Sequence, residues 1–261
     1  MTRTIFLTAM ALLAIVATAQ RPLLVGHRGC AIGVENTATA FRLGVDYYHY
    51  DGLECDVRVT RDGHYVISHD ETTERLGGHL TVAEATLAEL QAESYTQTRD
   101  GATYTGRICT VAEYLDICVE KGVFPVVELK WTTGINNNDM SNFAGLAALI
   151  EQKGLTERAI ILTSMKKSQE YVRQHYPVLQ CQWLCNANWQ GNEAWCRQWG
   201  LNPSISVGNF DEQTVKAFAA LGLYVACWTA DDPARCRELA RMGVKYITTN
   251  KAKFQPHDWE N

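Results

Sequence analysis

The sequence predicts an α/β fold, a closed TIM (β/α)₈ barrel with a hairpin-containing insertion after the second strand. Three observations carry that expectation. Short apolar runs of strand length recur about eight times, segments of helical pattern separate them, and the first run ends in "GHRGC" rather than in the glycine fingerprint of an open doubly wound sheet. Strands with helices packed outside and side chains packed inside are apolar on both faces, which is how these runs read.

The runs are, in order, "PLLVG", "GLECDVRVT", "FPVVELK", "AIILTS", "VLQCQWL", "SISVG", "YVACWT" and "KYITT". Helix starts between them have local reasons. Thr110 with Glu113 forms a capping box before "VAEYLDICVEKG", Gly122 supplies the left-handed stop, and Asp232-Pro233 offers an N-cap followed by proline at the first helical position. The stretch between the second and third runs is far longer than one crossover helix needs. It opens with Asp62-Gly63 between "VRVT" and "HYVISH", which predicts a hairpin leading an excursion over one mouth of the barrel.

Of the 261 residues, 46% are hydrophobic and 20% charged, enough for one domain with a full core and too apolar for disorder. A formal net charge of -5 without a Lys/Arg stripe excludes a nucleic-acid partner. The opening "MTRTIFLTAMALLAIVATAQ" has a positive start, an apolar run and the small-x-small Ala17-Thr18-Ala19, so residues 1–19 are expected to be a signal peptide. An uncleaved anchor is the alternative, disfavoured by a run shorter than the ~20 apolar residues of a span. Residues 20–261 are then one exported domain, periplasmic or extracellular, with no stable membrane insertion after cleavage. The sequence does not specify an oligomeric state.

Nine cysteines in an exported chain make disulfides possible. Cys55, Cys181 and Cys227 sit in strand-like runs and read as small buried hydrophobes, while Cys181, Cys185 and Cys196 form the best place for a bridge.

The chemistry begins with Glu54 and Asp56. Side chains alternate along a strand, so both carboxylates face the barrel interior while Cys55 and Val57 face the helices. Glu128 and Lys130 in "VVELK" repeat the device, and His27, Arg28 and His69 fall in adjoining loops. Buried unpaired carboxylates are costly, so these acids hold protons or gather a cation. Three carboxylates without a soft ligand suit one divalent cation, Mg²⁺ or Ca²⁺. With Arg28 and Lys130 to offset phosphoryl charge, and His27 and His69 to move a proton in and out, the substrate is expected to be a phosphate ester. The competing reading is an interior salt-bridge cluster with satisfied histidines.

The motifs "GHRG", "ENT" (35–37), "LECDVRVTRDGHYVISHD", "GRICTVAEYL", "VVELK" and "CWT" resemble, in order and spacing, those of the glycerophosphodiester phosphodiesterases, from about Val25 to Asn250. The resemblance implies a TIM barrel and hydrolysis of a small-molecule glycerophosphodiester to glycerol 3-phosphate and an alcohol. By the same resemblance Glu54, Asp56 and Glu128 are metal ligands, His27 and His69 the general base and acid, and Arg28 and Lys130 the phosphate contacts. Glu35 supports the site, and Trp228 forms an apolar wall beside the alcohol. It also implies attack by the glycerol 2-hydroxyl to give a cyclic phosphate that water opens. Val34, Cys109, Asn250 and Ala252 depart from residues usual in the family and are expected to touch neither a ligand nor a proton carrier. Two alternatives stand beside this reading: a phosphatidylinositol-type phospholipase C, and a non-catalytic barrel that binds phosphate esters.

The tryptophans 183, 189, 195 and 199 are either an aromatic platform or helix-to-barrel packing, and packing is favoured because Trp195 and Trp199 share a helical face. "GINNNDMSN" (134–142) is expected to form a mobile rim loop.

Overall fold

A computed structural model of the chain describes residues 21–254 and 258; the expected signal peptide lies outside the described residues. All eight predicted strands form, as β1 (Leu23–Gly26), β2 (Gly52–Val59), β7 (Phe124–Leu129), β8 (Ile160–Thr163), β9 (Gln180–Cys185), β10 (Asn202–Ser206), β11 (Ala226–Trp228) and β12 (Tyr246–Thr249). They run parallel in the order β1-β12-β11-β10-β9-β8-β7-β2, and pairing of Val25 and Gly26 with Gly52 and Leu53 closes the barrel. Helices α1 (Ala38–Asp46), α3 (Val111–Lys121), α4 (Phe143–Gln152), α5 (Lys166–His175), α6 (Glu193–Trp199), α7 (Glu212–Ala220) and α8 (Pro233–Met242) connect successive strands. The expected caps are present: the Thr110/Glu113 box, left-handed Gly122, and Asp232 with Pro233 after it.

The excursion follows β2, as predicted. Its first arm is the antiparallel β3 (Tyr65–Ile67), which Asp62-Gly63 turns back onto Val57–Val59. A short helix α2 (Leu87–Ala92), a hairpin β4 (Tyr95–Arg99) with β5 (Ala102–Gly106), and β6 (Cys109–Thr110) on β3 complete it. Its own small core of Val34, Val66, Val82, Leu90, Tyr95 and Ile108 packs it onto the loop after β1. The 134–142 loop is pinned by bridges Thr132↔Ile135 and Asn136↔Asp139, with Ile135 fully buried.

Inside the barrel, Val25, Val126, Ile160, Ala226 and Tyr246 pack below the site, and Leu162 joins them at the level of Glu128. Gly52 lies at this level because the Phe124 ring occupies the place of a side chain: a Cβ there would stand 2.4 Å from it. Outside, Cys55 and Val57 pack with Phe41, Tyr114 and Leu115 of the helix layer, so the predicted alternation holds along β2. Cys181, Cys185 and Cys196, the best place for a bridge, hold none. All nine cysteines are reduced and buried; Cys181 packs in one barrel-to-helix cluster and Cys185 with Cys196 in another, each as a small apolar group. The tryptophans follow the packing reading, with Trp183 buried edge-on against Trp195 at 5.2 Å.

Candidate active site

A cavity of about 180 Å³ opens at the C-terminal ends of the strands, lined by His27, Arg28, Glu54, His69, Glu128, Lys130, Leu162, Leu184, Ser204, Trp228 and Thr248. A groove on the helix layer between α4 and α5 is larger, about 310 Å³, but Glu151 and His175 are its only ionisable residues of the carboxylate, histidine or cationic type. Convergence of charge marks the smaller one as the site.

Strand register creates that convergence. Asp56 pairs with Glu128 across β2 and β7, and Glu54 lies one inward-facing position earlier. Carboxylate oxygens from all three lie within 4.8 Å of one another, so the described residues contain a group that could hold a metal ion. Glu54 Oε2 accepts the Arg28 backbone N–H at 2.8 Å, and Asp56 Oδ2 accepts from Asn36 Nδ2 at 2.8 Å and faces Arg28 Nε at 3.2 Å. Lys130 Nζ donates to Glu128 Oε1 at 2.8 Å and stands 3.5 Å from Asp56 Oδ1. Glu54 Oε1 and Asp56 Oδ1 are buried with no hydrogen-bond partner. Two orphaned acceptors on adjacent inward positions are the donor set a hard cation takes, and three carboxylates against two nearby cations leave negative charge to be met.

Electrostatics agree. Burial, then Asp56 and Glu128, push Glu54 well above the usual carboxylate range; burial and Asp56 push Glu128 up to about 7. Burial also acts against ionised Asp56, yet Arg28, Lys130 and His69 outweigh it and hold that carboxyl below its usual range. Burial, then Arg28, lowers His27; burial lowers His69 against the pull of Asp56.

Arg28 takes a left-handed backbone (φ 51°) in the turn after β1, which aims its N–H at Glu54. Its guanidinium reaches Glu35 at 2.9 Å. Glu35 is the hub of the excursion: Arg75 binds it from a 3₁₀ turn (Glu74–Leu76), and Arg99 and Gln97 of β4 each donate at 3.0 Å. Burial would raise Glu35, but these donors hold it far below the carboxylate range. Trp228 fixes its ring by donating Nε1–H to the Ser204 carbonyl at 3.1 Å. Every predicted site residue therefore lines the cavity or contacts a residue that does.

Residues 19–253 match the profile of the Glycerophosphoryl diester phosphodiesterase family. The chain belongs to that family. A glycerophosphodiester phosphodiesterase of Caldanaerobacter subterraneus is 27% identical over 242 residues, covering 88% of this chain and 94% of the relative. Among solved structures, an Oleispira antarctica phosphodiesterase in complex with the product sn-glycerol-3-phosphate is 19% identical with TM-score 0.76, covering 89% of this chain and 94% of that one. A glycerophosphodiester phosphodiesterase from Thermotoga maritima is 20% identical with TM-score 0.71, covering 90% and 96%. These structural likenesses establish the shared barrel.

Within this phosphodiesterase family site, one sequence expectation is corrected. Asn250 does touch a candidate proton carrier: its Oδ1 lies 2.8 Å from His27 Nδ1, because β12 returns beside β1 and ends level with it. Asp70 holds the other histidine, its Oδ1 2.7 Å from His69 Nδ1, and Arg75 in turn holds Asp70. Sequence reasoning also assigned no role to Asn36, Arg75, Arg99, Gln97 or Asp231. The "ENT" motif was the available signal for Asn36, and the adjacency His69-Asp70 was the signal for Asp70; the others are distant in the chain and carried none.

Proposed function

We propose that the chain hydrolyses glycerophosphodiesters to glycerol 3-phosphate and an alcohol in a metal-dependent reaction with histidine acid/base catalysis. The observation that carries this reading is the trio Glu54, Asp56 and Glu128, with two orphaned carboxylate oxygens, beside the cavity that Glu54, Glu128, His27 and His69 line. Glu54, Asp56 and Glu128 would hold one Mg²⁺ or Ca²⁺, which when bound supplies a Lewis acid beside the phosphoryl oxygens.

The residues of the chain divide the remaining work. Arg28 and Lys130 bind the phosphate and offset its growing negative charge. Neutral His27 accepts the proton of the attacking hydroxyl as the new P–O bond forms. Protonated His69, its charge favoured by Asp70, gives its proton to the oxygen of the departing alcohol as the old P–O bond breaks. Attack by the substrate's own 2-hydroxyl gives a cyclic ester, which water opens with the two histidines in exchanged roles. Glu35 keeps Arg28 in place, and Trp228, Leu162 and Leu184 make an apolar wall for the alcohol or glycerol carbons. Export of this activity is part of the proposal: the expected cleavage after Ala19 falls where the family match begins.

The test is a turnover screen over choline, ethanolamine, inositol and glycerol diesters, with glycerol 3-phosphate as the readout and the metal removed and restored. The expected result is activity lost to EDTA and regained with Mg²⁺ or Ca²⁺, and lowered about 10²- to 10⁴-fold by His27→Ala or His69→Ala. Activity indifferent to EDTA would favour a metal-free phospholipase-type reaction; no turnover on any diester would favour a binding barrel.

A further inference from the structure

We infer that Asn250, held by Asp231, is a positioning residue that fixes the tautomer of His27, placing the proton on Nδ1 and leaving Nε2 as the lone-pair nitrogen for the cavity.

The argument is one of donors and acceptors. Asp231, in the loop after β11, receives three hydrogen bonds: from the Asn250 backbone N–H at 2.7 Å and the Thr249 hydroxyl at 2.9 Å on Oδ1, and from Asn250 Nδ2 at 2.8 Å on Oδ2. Burial opposes its ionisation, but these donors outweigh that and keep the carboxyl below its usual range, so Asp231 is an acceptor only. The amide of Asn250 must then turn its NH₂ to Asp231 and its oxygen the other way. That oxygen faces His27 Nδ1 at 2.8 Å. An amide oxygen can only accept, so Nδ1 carries the hydrogen.

The rest of the seam prevents escape from this arrangement. The His27 backbone N–H donates to the Thr249 carbonyl at 2.9 Å, continuing the β1–β12 ladder, so histidine and asparagine are carried by two strand ends locked to each other. Asn250 does not line the cavity whereas His27 does, so Nε2 is the nitrogen left for chemistry. His69 is held through the same ring nitrogen by a carboxylate. The site thus gives one histidine a neutral partner and the other an anionic one. In the functional reading on which the base role rests, that difference suits His27 to accept a proton and His69 to carry one.

The tautomer can be read without substrate. Long-range ¹H–¹⁵N spectra of the full chain with labelled histidine, taken metal-free above the histidine titration range, should show His27 with Nδ1 protonated. Asn250→Ala should move it toward the Nε2–H form, and Asp231→Asn, which frees the amide to flip, should give a mixture. In turnover, Asn250→Ala should lower kcat by roughly 10² with KM little changed, as expected for misplacement of a reacting group. A wild-type His27 protonated on Nε2, or a tautomer unchanged in Asn250→Ala, would overturn the inference. Should Asn250→Ala fail to fold, the wild-type spectrum alone still decides. If the tautomer is as stated and no diester is turned over, the positioning role stands and the functional reading falls.

Discussion

From β1, β2 and β7 the cavity receives His27, Arg28, Glu54, Glu128 and Lys130, whereas from β8 to β12 it receives Leu162, Leu184, Ser204, Trp228 and Thr248. One half of a single closed sheet is a charged wall and the other is apolar or weakly polar. The charged half is also the half over which the excursion folds, and Glu35 ties the two together through Arg28, Arg75 and Arg99. The difference teaches where free energy is spent. Buried acids that cost stability are concentrated where a phosphate and a cation would meet, and the opposite wall is ordinary core that also shapes a pocket.

Breaking the charged half should have the largest effect. Asp56→Asn should lower turnover by about 10³, roughly 4 kcal/mol of barrier, and should abolish the rise in melting temperature that the proposed metal site predicts for the parent protein on adding Mg²⁺ or Ca²⁺. A variant that still melts higher with the ion would separate Asp56 from metal binding.

Glu128→Gln sharpens the same comparison through pH. In the metal-free protein, folded Glu128 titrates at about 7 against an ordinary 4.5, so the folded state holds this proton more tightly. Its neutral form is present in both states below about pH 4.5; as pH rises to about 7, stability falls, by on the order of 3 kcal/mol relative to the glutamine variant. Denaturant melts of both proteins across that window measure the difference, and a wild type that gained stability over the variant with rising pH would contradict it. Saturating divalent cation should remove the slope.

Glu35→Gln tests the tie to the excursion. Removing the charge takes from mostly buried Arg99 its anionic partner and leaves Arg28 with Asp56 alone, at a cost of about 2–3 kcal/mol after allowance for the more exposed Arg75. Because folded Glu35 is held below its usual range, its contribution is full above that range and is lost as pH falls. Equal stabilities near neutral pH would refute the hub. On the apolar half, Trp228→Leu should be mildest: about a tenfold rise in KM, or roughly 1.4 kcal/mol, with kcat nearly kept. A large kcat loss would move Trp228 into the charged half's work.

Much of this site was legible residue by residue. The period of two placed Glu54 and Asp56 inward and Cys55 outward, and "VVELK" gave a second inward acid with a cation two positions on. The capping box at Thr110 and the Asp232-Pro233 start were local chemistry and formed where they were written. Asn250 was not legible: it meets His27 across 223 residues, and only the return of β12 to β1 makes them neighbours. The cysteines were legible in part: Cys55, Cys181 and Cys227 are buried as small hydrophobes, whereas closeness in the chain did not show that Cys181 enters one barrel-to-helix cluster and Cys185 with Cys196 another.

By itself the sequence determined what depends on near neighbours: which runs become strands, where helices start, and which face of each strand carries acid. Those outcomes follow from backbone sterics, local hydrogen bonds and alternation over a few residues. The tertiary structure decided which faces meet. Asp56 opposite Glu128, Asn250 against His27, and Glu35 among three arginines all depend on strand register and ring closure, long-range quantities that no short stretch of chain contains.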